Sequence, residues 1–71
     1  MTQEYKIKEE WFAARDKNGT LHIFQVEPRK IIDRGVWWDI DYMSIEISEN
    51  DFPELTWEDD PIKVELTIKK I

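Results

Sequence analysis

The chain has no cysteine, one histidine, two glycines and three prolines in 71 residues. Without Cys there is no disulfide framework, no thiol nucleophile and no Cys-ligated zinc. Any nucleophile–base pair would have to use His22, with Ser44 and Ser48 the only serines. His22 lies in a run that reads as mid-strand, where a histidine packs or meets solvent, so neither enzymatic activity nor a cofactor is expected. No apolar run approaches the ~20 residues that span a bilayer. Residues 1–10 hold no apolar stretch of signal-peptide length, and the expectation is a soluble, cytoplasmic protein without a membrane partner.

Length excludes more. The chain makes one small domain, residues 1–71, with no room for separate cofactor and substrate halves. A domain this size buries only about 60% of the surface its unfolded chain exposes, so each large apolar side chain matters. Four Trp, three Phe and two Tyr supply that area in place of disulfides or a structural metal. Self-association is the other common remedy, and a homodimer is one expected partner state.

Charge of one sign is missing from the middle of the chain. Residues 35–61 contain no Lys or Arg and nine carboxylates: Asp39, Asp41, Glu46, Glu49, Asp51, Glu54, Glu58, Asp59 and Asp60. The flanks are slightly positive, and the net charge is −6. Such a stretch disfavours direct contact with nucleic acid, whose phosphates reward cations. A basic protein partner or a divalent cation suits it better, and solvation of outer loops is the plainer explanation.

Three segments carry legible structure. In Pro61–Lys70, Ile62, Val64, Leu66 and Ile68 alternate with Lys63, Glu65, Thr67 and Lys69, the pattern of a half-buried strand with Pro61 at its first position. Lys69 and Lys70 discourage edge pairing at its far end. Glu10–Arg15 and Thr20–Val26 are rich in aromatic and β-branched residues and flank Asp16-Lys17-Asn18-Gly19, which predicts a hairpin near the centre of the fold. Ile7, Trp11 and Ala14 also fit one face of a helix ending at Asn18-Gly19. The strand reading prevails because a helix would leave the strand after Gly19 without its nearest partner.

From Gly35 onward Val36, Trp38, Ile40 and Tyr42 share one parity and Met43, Ile45 and Ile47 the other, predicting strands at 35–40 and 42–48 with a bulge or tight turn between. Asn50–Glu54 reads as a loop, Leu55–Trp57 as a short extended piece and Glu58–Pro61 as a turn. The fold class is therefore all-β, a small antiparallel barrel or strongly curved sheet of five or six short strands.

Candidate binding residues are few. Asp39 and Asp41 would project from one face of a strand about 6.7 Å apart, with Asp33 across a turn. Glu58, Asp59 and Asp60, and the Asn50-Asp51 pair, offer oxygen ligands, but no spacing matches a calcium loop and no metal site is assigned. The parity places Trp38 in the core and Trp37 on the polar side beside Asp39 and Asp41, where its ring could stack on a sugar or hold a cation of a basic partner. Alternatively Trp37 covers a second small core.

Two segments resemble a known group. Trp11-Phe12-Ala13-Ala14-Arg15-Asp16-Lys17-Asn18-Gly19-Thr20-Leu21 and Phe52-Pro53-Glu54-Leu55-Thr56-Trp57-Glu58-Asp59-Asp60-Pro61-Ile62-Lys63-Val64-Glu65-Leu66 resemble short uncharacterised proteins carried by phages, prophages and other mobile elements of gut bacteroidete-type bacteria. Together they cover roughly a third of the chain, the second being the more specific, while residues 25–50 match only loosely. The resemblance implies a small accessory protein and assigns no functional residue. The sequence thus points first to a non-enzymatic interaction module using Trp37, Asp39, Asp41, Glu58, Asp59 and Asp60. The alternatives are a self-assembling structural protein and a binder of a sugar or divalent metal.

Overall fold

The computed structural model describes residues 6–38 and 44–71. Strand β1 (Lys6–Arg15) turns at Asp16–Gly19 into β2 (Leu21–Phe24). A second hairpin is built from β3 (Arg29–Ile31), a 3-10 turn (Ile32–Arg34) and β4 (Val36–Trp38). Strand β5 (Ser44–Ile47) and the long β6 (Ile62–Lys69) follow. Two antiparallel sheets result: four strands in the order β5-β2-β1-β6, and the β3–β4 pair. The all-β class and the central hairpin are as the sequence pattern predicts. Among the described residues β5 and β6 remain the two edges of the larger sheet, and no closed barrel forms. No helix among these residues is long and apolar enough to cross a membrane.

Cross-strand register sorts the side chains. Ala13 lies opposite both Ile23 and Ile62, Trp11 opposite Val64, and Leu21 opposite Ile47, so all of these share one face. That face forms the main core, where Trp11, Ala13, Leu21 and Ile23 are joined by Leu55 from the 48–61 segment. Ile47, Phe52, Ile62, Val64 and Leu66 pack at its margin. Leu21 is fully buried, and burying a leucine contributes about 2 kcal/mol. The Trp11 indole N–H donates to Glu9 Oε2 at 3.2 Å, which satisfies the one polar group of this buried side chain.

Among the described residues the opposite face is covered at one end. There Ala14, Phe24 and Trp37 make a second, smaller core, closed by Trp57. Covering both faces of a short sheet with two small hydrophobic groups is one way for a chain this size to bury its aromatics.

The 27–34 stretch contributes β3 and the 3-10 turn, which the sequence pattern does not announce: Arg29-Lys30-Ile31-Ile32 has neither period 2 nor a turn signal. Gly35 is not the first residue of a strand. It ends the 3-10 turn at φ +67°, and its carbonyl accepts the Lys17 N–H at 2.9 Å, tying the second hairpin to the first. A β-carbon at Gly35 would stand 3.0 Å from Lys17 Cβ. Gly35→Ala is therefore expected to lower stability by about 1–2 kcal/mol, from strain at positive φ and from displacement of the turn. Chemical denaturation of the two proteins measures it.

Candidate functional site

Residues 48–61 run over the main core as an irregular segment with little regular structure of its own, yet it is firmly attached. Arg15, at the end of β1 on the core side, donates from Nε to Leu55 O at 2.6 Å and from its two terminal nitrogens to Gly19 O at 2.7 Å, Asp51 O at 2.9 Å and Phe52 O at 3.2 Å. One guanidinium thus satisfies four carbonyls, a task its planar fork of donors suits and a lysine cannot perform. Leu55 N–H closes a turn onto Phe52 O at 2.9 Å, and Phe52 takes the left-handed conformation at φ +48°. A non-glycine residue there, directly before proline, is strained by on the order of 1 kcal/mol. Packing of the Phe52 ring and the Arg15 bonds hold it in place.

On this platform, and on β5 just before it, the carboxylates point outward. Glu46, Glu49, Asp51, Glu54, Glu58, Asp59 and Asp60 are all exposed. Among the described residues no Lys or Arg pairs with any of them; the one ionic neighbour is His22, whose Nε2 lies 4.0 Å from Glu46 Oε1. Glu58 and Asp60 make no side-chain hydrogen bond among the described residues. Asp59 differs: its Oδ2 accepts from Thr56 N at 2.8 Å and Thr56 Oγ1 at 3.2 Å, organising the turn ahead of β6. Asp59→Ala is expected to cost about 1 kcal/mol in stability for want of that acceptor, whereas Glu58→Ala should be neutral in the same melting experiment.

Of the two readings of Trp37, the structure bears out the second small core and corrects the exposed contact residue. Trp37 is buried and Trp38 is exposed, at 9% and 39% of full accessibility, the reverse of the parity reading. Lys30 lies opposite Trp37 in the β3–β4 register, so these two face inward, while Ile31, Val36 and Trp38 face away. The Trp37 indole stands edge-on to Trp57 with ring centres 5.9 Å apart. The Lys30 ammonium sits 4.4 Å from the Trp57 ring and 5.4 Å from the Trp37 ring. The cation expected from a partner is thus supplied by the chain itself. Trp37 also donates from Nε1 to Arg15 O at 3.0 Å and from its backbone N–H to Asp16 Oδ1 at 2.9 Å.

Asp16 is the one buried carboxyl side chain among the described residues, with its second oxygen 3.6 Å from His22 Nδ1. Sequence reading placed it simply in a turn; a carboxylate beside an Asn-Gly turn looks the same whether it faces water or the amide of a later strand. Asp39 and Asp41 lie outside the described residues, as does the bend expected at 41–43. Glu58, Asp59 and Asp60 are brought together on one exposed turn. No three His, Asp or Glu side chains converge as a metal-binding group among the described residues. The outer side of the β3–β4 hairpin carries a shallow groove of about 380 Å³ lined by Ile31, Arg34, Val36 and Trp38, which residue patterns did not reveal.

Within these limits the chain is a small all-β protein with an acidic, structurally anchored surface segment. Comparison with family models, curated proteins and solved structures gives no significant match to it.

Proposed function

We propose that this chain is a non-enzymatic protein-interaction module, an accessory protein of a phage or mobile element, whose acidic segment 46–60 meets a basic protein partner. The observation that carries the reading is the set of seven exposed carboxylates on one anchored segment with no Lys or Arg beside them in sequence or paired with them among the described residues. Like charges gathered without counter-charges raise a local negative potential, which steers cationic partners and repels nucleic acid. Anchoring matters because a segment fixed by Arg15, Leu55 and Phe52 loses little freedom on binding. Trp37 has no part in the contact surface, being committed to the second core.

The test is binding to an immobilised Lys/Arg-rich peptide. Retention is expected at about 50 mM salt and release by about 500 mM, since exposed charges are screened over a few ångströms at high ionic strength. Glu58→Lys with Asp60→Lys should weaken binding by about tenfold or more. The control Glu10→Lys with Glu27→Lys changes net charge equally at two exposed sites elsewhere. Equal loss in the control would mean that only overall charge matters and would remove the basis for a defined surface.

A further inference from the structure

Strand β6 is the long open edge of the four-stranded sheet. It pairs with β1 at all eight of its residues, and among the described residues its backbone makes no hydrogen bond to any other segment. Every second N–H and C=O along it therefore faces outward, a template for another strand. Its apolar side is incompletely covered: Ile62, Val64 and Leu66 are only half-buried and Ile68 is 53% exposed. Lys70 lies beyond the strand end, so the central residues 62–66 carry one Lys and one Glu as their only charges.

We propose that two copies of this chain dimerise by antiparallel pairing of β6 with β6 about a twofold axis at Val64. In antiparallel pairs directly opposed residues share a face, so a symmetric pairing that keeps the apolar side continuous must be centred on a residue. Each possible centre has a distinct consequence. Centring on Lys63 or on Glu65 sets like charges against each other, and centring on Leu66 sets position 63 against position 69, both lysines. Centring on Thr67 puts Lys70 opposite Val64 on the apolar side.

Centring on Ile68 sets Leu66 against Lys70, and centring on Ile62 runs the pairing past Pro61 out of the strand. The Thr67 centre does set Glu65 opposite Lys69, but its mismatch of Lys70 against Val64 adjoins the strand end, whereas the one mismatch of the Val64 centre, Asp60 against Ile68, falls beyond Pro61 in the preceding turn. The Val64 centre is therefore the one complementary on both faces along the strand. It places Lys63 opposite Glu65 twice, by symmetry, on the wet side, and Ile62 opposite Leu66 twice, with Val64 against Val64, on the apolar side. The Thr67 hydroxyl donates to Glu65 Oε1 at 3.1 Å, leaving Oε2 to accept from Lys63 of the second copy. The product is one eight-stranded sheet with its two main cores on the same side, an isologous contact of the kind most homodimers use.

The register makes the test specific. Sedimentation equilibrium of the full chain between about 10 μM and about 1 mM should show the mass rising from 8.6 kDa toward twice that value. Lys63→Glu and Glu65→Lys each set like charges together at both symmetric contacts, and each alone should weaken dimerisation by about tenfold. An equimolar mixture of the two variants restores both Lys–Glu contacts in a heterodimer and should regain the dimer mass, as should the double variant K63E/E65K. Both positions lie on the exposed side of β6, and a melting curve checks that each variant stays folded. A wild type that is monomeric throughout, single variants that dimerise unchanged, or a mixture that stays monomeric would each overturn the proposal. None of these outcomes bears on the acidic segment, which is read by peptide binding.

Discussion

Replacing Trp37 by Ala is expected to destabilise the protein by about 4 kcal/mol, the usual range for emptying a buried aromatic site. For a domain of this length that corresponds to a fall in melting temperature of roughly 20 °C. The indole is the centre of the second core, lying against Ala14, Phe24 and Trp57. Its removal also leaves Arg15 O without the Nε1 donor and the Lys30 ammonium without one of its two rings. Trp37→Phe keeps most of the packing and loses the donor, so about 1–2 kcal/mol is expected. Trp38→Ala is the decisive companion, because Trp38 faces outward and should cost under about 1 kcal/mol. If thermal melts ranked the two tryptophans the other way, the orientation of β4 would be wrong, and with it the assignment of Trp37 to the core.

Arg15→Ala carries the next largest effect. Four carbonyls lose a charged donor at once, and three of them belong to the 51–55 stretch that roofs the main core. Bonds from a charged group contribute about 1.5–3 kcal/mol singly and are not additive within one side chain, so a total of about 3 kcal/mol is expected. Local opening should accompany the global loss, with amide exchange accelerating at Leu55 before it does in β1 and β2. Arg15→Lys should recover little, since one ammonium cannot reach carbonyls spread around the edges of the guanidinium. Recovery of full stability by Lys would show that charge rather than the fork secures the segment.

The legible parts of this fold were those marked by strict alternation or by a turn signal. β6 announces itself because Ile62, Val64 and Leu66 alternate with Lys63, Glu65 and Thr67, and the structure half-buries the first three and exposes the others, although Ile68, of the same parity, is exposed. The first hairpin is equally plain, since Asn18-Gly19 marks its turn and β1 and β2 carry apolar residues on both faces, as strands at the centre of a sheet do. Trp37 and Trp38 defeated the same logic. Val36, Trp37 and Trp38 are all apolar, so period 2 offers no choice of face within them, and the parity reading took its face from Ile40 and Tyr42, which lie outside the described residues. What settles the face is the site where the hairpin docks, which depends on Asp16 and Arg15 some 20 residues earlier.

The acidic segment was visible as charge alone; its anchoring was not. Nothing local in Asp51–Leu55 tells that an arginine 36–40 residues earlier will bind its carbonyls. Nor does the sequence separate Asp59, which shapes its turn, from Glu58 and Asp60, which only face solvent. Composition locates charge, whereas the division between structural and available carboxylates follows from hydrogen bonds made after the chain has folded.

The central claim is that a basic partner is met by residues 46–60, and mapping backbone amide shifts by NMR during titration with a Lys/Arg-rich peptide tests it most directly. Shifts should concentrate on Glu46–Asp60, grow with peptide and collapse at about 500 mM salt, while the outer β3–β4 groove at Ile31, Val36 and Trp38 stays unmoved. Shifts centred on that groove, or none on the acidic segment at low salt, would contradict the account.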